Sequence, residues 1–159
     1  MQQELKLEKS NFKHTIIEAV RFHEVDMMSV CNNAVYFNYF EDARIKYIQD
    51  LIKNYSLKNI LAGHSYFIMA HNEADYIEPA LLEDELIVYT RVNFIKSSSF
   101  GFRHLIEKKS TGKIITKGGG VFVHIDKKTR TPVPLPQEFY EAVKDFEHEV
   151  EIINRKKSE

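Results

Sequence analysis

Between Ala34 and Lys53 the chain carries apolar side chains around most of a helical circumference. At 100° per residue, Tyr36, Phe40, Ala43, Tyr47 and Leu51 form one stripe, and Phe37, Ile45, Ile48 and Ile52 widen it. Asn38, Asp42, Lys46, Gln49 and Lys53 are left as a narrow polar side. An ordinary surface helix buries less of its girth, so this one has to be wrapped by the rest of the chain. Its length is about 30 Å at 1.5 Å per residue. Asn32 or Asn33 is placed to cap its start.

The flanking segments read as the wrapping. FKHTIIEAVRF, from Phe12 to Phe22, is rich in β-formers and reads as a first strand, and HEVDMMSVCNN follows as a loop. After an irregular link (54–63) come four more strand-like stretches: His64–Ile77, Glu85–Ile95, Ser99–Lys108 and Lys113–Asp126. Leu86, Val88, Thr90, Val92 and Phe94 share one face of the second; Phe100, Phe102, His104 and Ile106 share one face of the third. The breaks carry Pro79, Lys96-Ser97-Ser98 and Ser110-Thr111-Gly112, and connections this short imply antiparallel neighbours. TPVPLP ends the sheet, and Pro136 suits the first turn of a charged helix, QEFYEAVKDFEHEV. The reading is α+β: a five-stranded antiparallel sheet around one long helix, with a short C-terminal helix. One domain covers 12–150, between a polar N-terminal segment (1–11) and a charged tail (151–159).

Composition removes several functions. With 22 Lys+Arg against 23 Asp+Glu, the net charge of −1 lacks the basic excess of a nucleic-acid binder. Mean hydropathy is −0.36, and no apolar run approaches the roughly 20 residues that span a bilayer, so no membrane insertion is expected. Met1–Ser10 lacks the apolar core of a secretory signal. Cys31 is the only cysteine, which excludes an intrachain disulfide and a thiolate zinc site and points to the cytoplasm. No ligand spacing of histidines lies on the helix, so neither a metal nor a redox cofactor is expected.

Asp26 is the first candidate for chemistry. It lies among Val25, Met27, Met28 and Val30, seven residues before Asn33. A carboxylate in apolar surroundings serves as a general base or nucleophile. The free N–H groups at a helix start hold a developing oxyanion. Together they suit hydrolysis of an activated acyl group. Spacing alone favours a plainer role, a turn carboxylate capping nearby N–H groups. Glu41 and Arg44 fall inside the apolar arc and read as a partly buried ion pair. Lys96, Ser97, Ser98 and Ser99 read as a solvated turn, and Gly118–Gly120 as a place where the central helix comes close to a strand. Cys31 has no neighbouring histidine to support a nucleophilic role.

The string VRFHEVDMMSVCNNAVYFNYFEDAR resembles the hotdog-fold acyl-CoA thioesterases of the 4-hydroxybenzoyl-CoA thioesterase type. AHNEADYIEPALLEDEL and the stretch up to TPVPLP extend the resemblance over roughly Lys13 to Phe139. It implies a hotdog fold assembled as a homodimer or homotetramer, with active sites at the subunit interface. Asp26 matches the family's catalytic carboxylate, and Asn33 falls where one branch has a histidine and others an asparagine. The backbone N–H of Asn33 or Ala34 would be the oxyanion donor, with Tyr36 lining the thioester pocket. Lys96, Ser98 and Ser99 would border the coenzyme A channel. Another branch places its acid on the helix eight residues past the oxyanion position, which makes Glu41 a reserve base. Two departures stand out: the family's loop glycine is Ser29, and its next-position histidine is Val30. The implied activity is hydrolysis of an acyl-CoA to free acid and CoA. An acyl carrier protein thioesterase and a non-catalytic acyl-thioester binding module are the alternatives. A dehydratase ranks below them, because Val30 and Asn33 leave no histidine at the required places.

Overall fold

The computed structural model describes residues 9–58 and 63–153. Residues 1–8 of the expected N-terminal segment, 59–62 of the link and 154–159 of the expected tail lie outside the described residues. The order is β1 (His14–Ala19), α1 (Val35–Asn54), β2 (Ser65–Tyr76), β3 (Glu85–Ile95), β4 (Ser99–Lys108), β5 (Lys113–Asp126), α2 (Gln137–Glu147) and β6 (Glu151–Ile152). The first five strands form an antiparallel sheet in the order β1-β3-β4-β5-β2. β6 adds parallel to β3 at Phe94 and Ile95, so the fold reaches past residue 150 into what read as tail. Among the described residues no helix is long and apolar enough to cross a membrane.

α1 follows the stripe read from the sequence. Tyr36, Phe40, Ala43, Tyr47 and Leu51 are buried, and Tyr39 and Arg44 join them. Ile45 is exposed, while Phe37, Ile48 and Ile52 are half-buried, so one flank of the helix is less covered than the pattern implied. The N-terminal half of α1 packs with Val20, Leu86, Val88, Ile106 and Ile115. The C-terminal half packs with Val92, Ile95, Phe100, Phe102 and Phe139. Ser56 ends the helix in a left-handed conformation (φ 51°), and the Leu57 N–H returns to the Ile52 carbonyl at 3.0 Å, closing a Schellman turn without glycine.

β1 is shorter than the stretch read as its source, because Phe22–Glu24 winds into a 3-10 turn. The alternation on β3 holds through Val92 and then slips. A bulge between Val92 and Phe94 buries Ile95 fully and turns Phe94 to the other face. There the Phe94 ring lies across Gly101, where a Cβ would overlap it. Pro136 stands just before α2 rather than inside its first turn.

Candidate active site

The loop from Val25 to Cys31 is a tight hairpin. Val25 bridges Cys31, the Asp26 N–H donates to the Val30 carbonyl at 2.9 Å, and the Ser29 N–H donates to the Asp26 carbonyl at 3.0 Å. This three-residue connection requires a left-handed residue at its last position, where glycine is preferred. Ser29 fills that position with φ 63°. The Asp26 side chain joins the turn: Oδ1 accepts the Met28 N–H at 2.8 Å.

The base of the hairpin is anchored in the core. Glu24 is buried, and its Oε2 accepts from the Tyr39 hydroxyl at 2.7 Å and the Arg21 N–H at 2.8 Å. The Glu24 carbonyl takes the Asn32 N–H, and the Cys31 N–H donates to the Ala80 carbonyl, each at 2.8 Å. Burial first, then the Glu24 carboxylate, holds the Tyr39 hydroxyl far above its ordinary pKa, so it is a permanent donor.

Just before α1, Asn32 caps the turn that leads into the helix. Its Oδ1 accepts the Ala34 N–H at 2.9 Å and its carbonyl the Val35 N–H at 2.9 Å. The Ala34 N–H is therefore occupied, whereas the Asn33 N–H has no partner among the described residues. Tyr76 donates to the Asn33 carbonyl at 2.7 Å and meets Tyr36 edge-on at 5.1 Å. The Tyr36 hydroxyl accepts the Ala80 N–H at 3.0 Å, so this phenol holds the turn after Pro79 and presents only its ring. Cys31, Asn33, Tyr36, Tyr76 and Pro79 line an open cavity of about 210 Å³. Burial pushes the Cys31 thiol up, against a nucleophilic role.

Asn33 and Tyr36 thus meet at one cavity. Asp26 stands apart from its lining and is exposed in the single chain. Its neighbours Met27 and Met28 are also bare, at 102% and 81% exposure, so the apolar surroundings read from the sequence do not form within one protomer. Glu41 is exposed, and Arg44 is buried without an ion pair to it within 4 Å among the described residues; the expected pair does not form. Lys96, Ser98 and Ser99 lie at the opposite end of the sheet. The Ser97 and Ser98 carbonyls accept from Leu135 and His124, beside the half of the core that holds Leu51. Sequence reasoning missed Glu24, Tyr39 and Tyr76. A carboxylate two residues before Asp26 and a tyrosine at the edge of the helical stripe were the available signals.

A single antiparallel sheet curved around a long helix, with a capped helix start opening onto a cavity, is the hotdog architecture. The model of the thioesterase-like superfamily matches residues 20–143, and the chain belongs to that superfamily. A thioesterase from Thermus thermophilus, solved with coenzyme A and zinc, is 34% identical with a TM-score of 0.72, covering 87% of this chain and 96% of that one. The long-chain acyl-CoA thioesterase FadM of Escherichia coli is 25% identical over 128 residues, 80% of this chain and 94% of the relative. The chloroplastic acyl-acyl carrier protein thioesterase ATL3 of Arabidopsis thaliana is 26% identical over 123 residues, 77% of this chain but 63% of the relative's length. The enzyme class is thioester hydrolase.

Proposed function

We propose that the protein hydrolyses an acyl-CoA, with Asp26 as general base or nucleophile and the Asn33 N–H as oxyanion donor. The observation that carries this reading is the Asn33 N–H, unpartnered among the described residues, on a residue that lines an apolar cavity, with Ala34 excluded by its bond to Asn32. The T. thermophilus relative's bound coenzyme A supports the choice of carrier. The Arabidopsis relative favours acyl carrier protein as the second reading. Only Oδ1 of Asp26 is used by the turn, so Oδ2 is free to take a proton from water or to attack the carbonyl.

Asp26 needs a wall that one chain does not supply, and a second copy is the proposed source. β2 is a sheet edge twelve residues long, unpaired on its outer side among the described residues. Such an edge demands cover. Antiparallel pairing of two copies along β2 would set the Ser65 end of one against the Tyr76 end of the other. That brings the β3–β4 hairpin, with its Lys96, Ser98 and Ser99 positions, toward the cavity of a neighbouring copy. A homodimer, or a homotetramer built from it, belongs to the same proposal, as does a reducing cytoplasmic setting for Cys31.

The test is thiol release from a panel of acyl-CoAs by wild type and Asp26→Asn. The variant should lose about a hundred-fold or more in kcat, the usual share of a positioned base. Equal hydrolysis by both removes Asp26 from the chemistry and transfers the role to Glu41.

A further inference from the structure

At the Ser65 end of β2, hydrogen bonds link a hydroxyl, an imidazole and a carbonyl. Nδ1 of His124 is 2.9 Å from the Pro134 carbonyl, and Nε2 is 2.7 Å from the Ser65 hydroxyl. A carbonyl only accepts, so Nδ1 carries the ring proton. Nε2 is then a bare lone pair, and the Ser65 O–H donates into it. The roles follow in order: a nucleophile, a base, and a group that holds the base in one tautomer.

The base is pinned by its surroundings. The His124 N–H donates to the Ser98 carbonyl at 2.7 Å, and the His124 carbonyl takes the Val133 N–H at 2.9 Å. The turn before β4, the segment 132–135 and β2 thus hold one residue between them. His124 is 4% exposed, and its ring tilts against Phe67 at 5.2 Å. Ser65 is only half-buried, so the nucleophile is reachable while the base is shielded. Ser65 shares a strand face with Phe67, which packs against the core, so its side chain stands on the concave side of β2 and not along the unpaired edge. The His64 N–H, next to it in the chain, makes no hydrogen bond among the described residues. Tyr76, which lines the Asn33 cavity, ends the same strand about 35 Å away at the rise of a strand. Within one chain this is a separate place.

We propose that Ser65 is an acyl-accepting nucleophile with His124 as its base, a second reactive centre that takes activated oxyesters of apolar acids. Ser65 Oγ attacks the ester carbonyl while its proton passes to Nε2. The new C–O bond leaves a negative charge on the carbonyl oxygen, and the His64 N–H meets it. The imidazolium keeps its Nδ1 proton on the Pro134 carbonyl. The bond to the alcohol then breaks, and the alcohol leaves with the Nε2 proton. Water next gives a proton to Nε2 and attacks the acyl-serine; collapse releases the acid and returns that proton to Ser65 Oγ. Phe67 flanks the acyl group and sets the apolar preference. A neutral carbonyl stabilises the imidazolium less than a carboxylate would. Only esters with a good leaving group therefore react, and the acyl-serine accumulates.

The protein is incubated with an alkyl fluorophosphonate and, separately, with p-nitrophenyl butyrate, and intact and peptide masses are measured. Wild type should take one phosphonyl group, on Ser65, and release p-nitrophenol in a burst of about one equivalent per chain. Ser65→Ala should lose both adduct and burst while melting within a few degrees of wild type. His124→Gln, whose amide bridges the same two partners but carries no proton between them, should label about a hundred-fold more slowly or worse. Ser65→Cys gives a reading that does not depend on that variant folding: iodoacetamide should alkylate the new thiol about ten-fold faster than it alkylates glutathione. Thiol release from an acyl-CoA by Asp26→Asn reports on the other centre, so either centre is able to fail alone. No adduct on Ser65, a labelling rate that His124→Gln leaves unchanged, or a new thiol no faster than glutathione would overturn the proposal and leave His124 as a structural tie between β5 and the segment 132–135.

Discussion

Tyr39→Phe should loosen the Val25–Cys31 hairpin from within the core. The lost hydroxyl donates at 2.7 Å to Glu24, a buried carboxylate whose other close donor is the Arg21 N–H at 2.8 Å. The Arg21 guanidinium, 3.7 Å from Oε1, is mostly exposed and does not replace it. A hydrogen bond to a charged group contributes about 1.5–3 kcal/mol. The phenylalanine ring fills the same space, so no cavity cost is added, and about 2 kcal/mol is the expected loss. At roughly 2–4 °C per kcal/mol for a chain of this size, Tm falls by about 4–8 °C. The assay is thermal and urea unfolding of wild type, Tyr39→Phe, Glu24→Gln and the double variant. The cycle should return a coupling of about 1.5 kcal/mol or more. The Glu24 carbonyl also holds the Asn32 N–H, so the variant should lower kcat more than it raises KM. A Tyr39→Phe protein that melts within a degree of wild type, with no coupling to Glu24, would refute the idea that this bond anchors the hairpin.

Ser29→Gly should raise Tm by a few degrees, because a serine at φ 63° carries about 1–2 kcal/mol of left-handed strain. Glycine's greater freedom in the unfolded chain returns roughly half of that, and scanning calorimetry reads the difference. Glu147 gives a pH test. Burial, opposed by its bonds to Tyr47 and Val92, raises its carboxyl pKa above the usual 4.5. The folded state therefore holds the proton more tightly than the unfolded one. Its contribution to stability is full below the unfolded pKa and is lost as pH rises through the raised value. Urea unfolding from pH 4 to pH 8 should show Glu147→Gln gaining on wild type across that window, and parallel curves would remove Glu147 from the account.

Much of the fold was legible because burial imposes a period. Tyr36, Phe40, Ala43, Tyr47 and Leu51 recur at helical spacing, and the bounds of β3, β4 and β5 fall where alternation and turn residues change. The misreadings are local exceptions to those periods. The bulge that inverts Phe94 depends on Gly101 of the neighbouring strand, and Ile45 is exposed because the β5–β2 half of the sheet does not cover that flank. Within the loop, the demand for a left-handed residue at Ser29 was visible only through the resemblance, since a serine carries no signal of its own.

The sequence by itself determined that a long helix had to be wrapped by an antiparallel sheet, that Asp26 precedes its start, and that Asn33 and Tyr36 flank that start. Those follow from side-chain polarity and spacing along one chain. Which N–H has no partner among the described residues, which carboxylate anchors the loop, and that Arg44 is buried with no acceptor among those residues were decided only by the folded structure. The last two depend on atoms from distant segments meeting, Tyr39 against Glu24 and Phe122 under Arg44, while the free N–H is set by a bond two residues long, Ala34 to Asn32. Hydrogen-bond supply is a property of three-dimensional neighbourhoods, and no one-dimensional period encodes it.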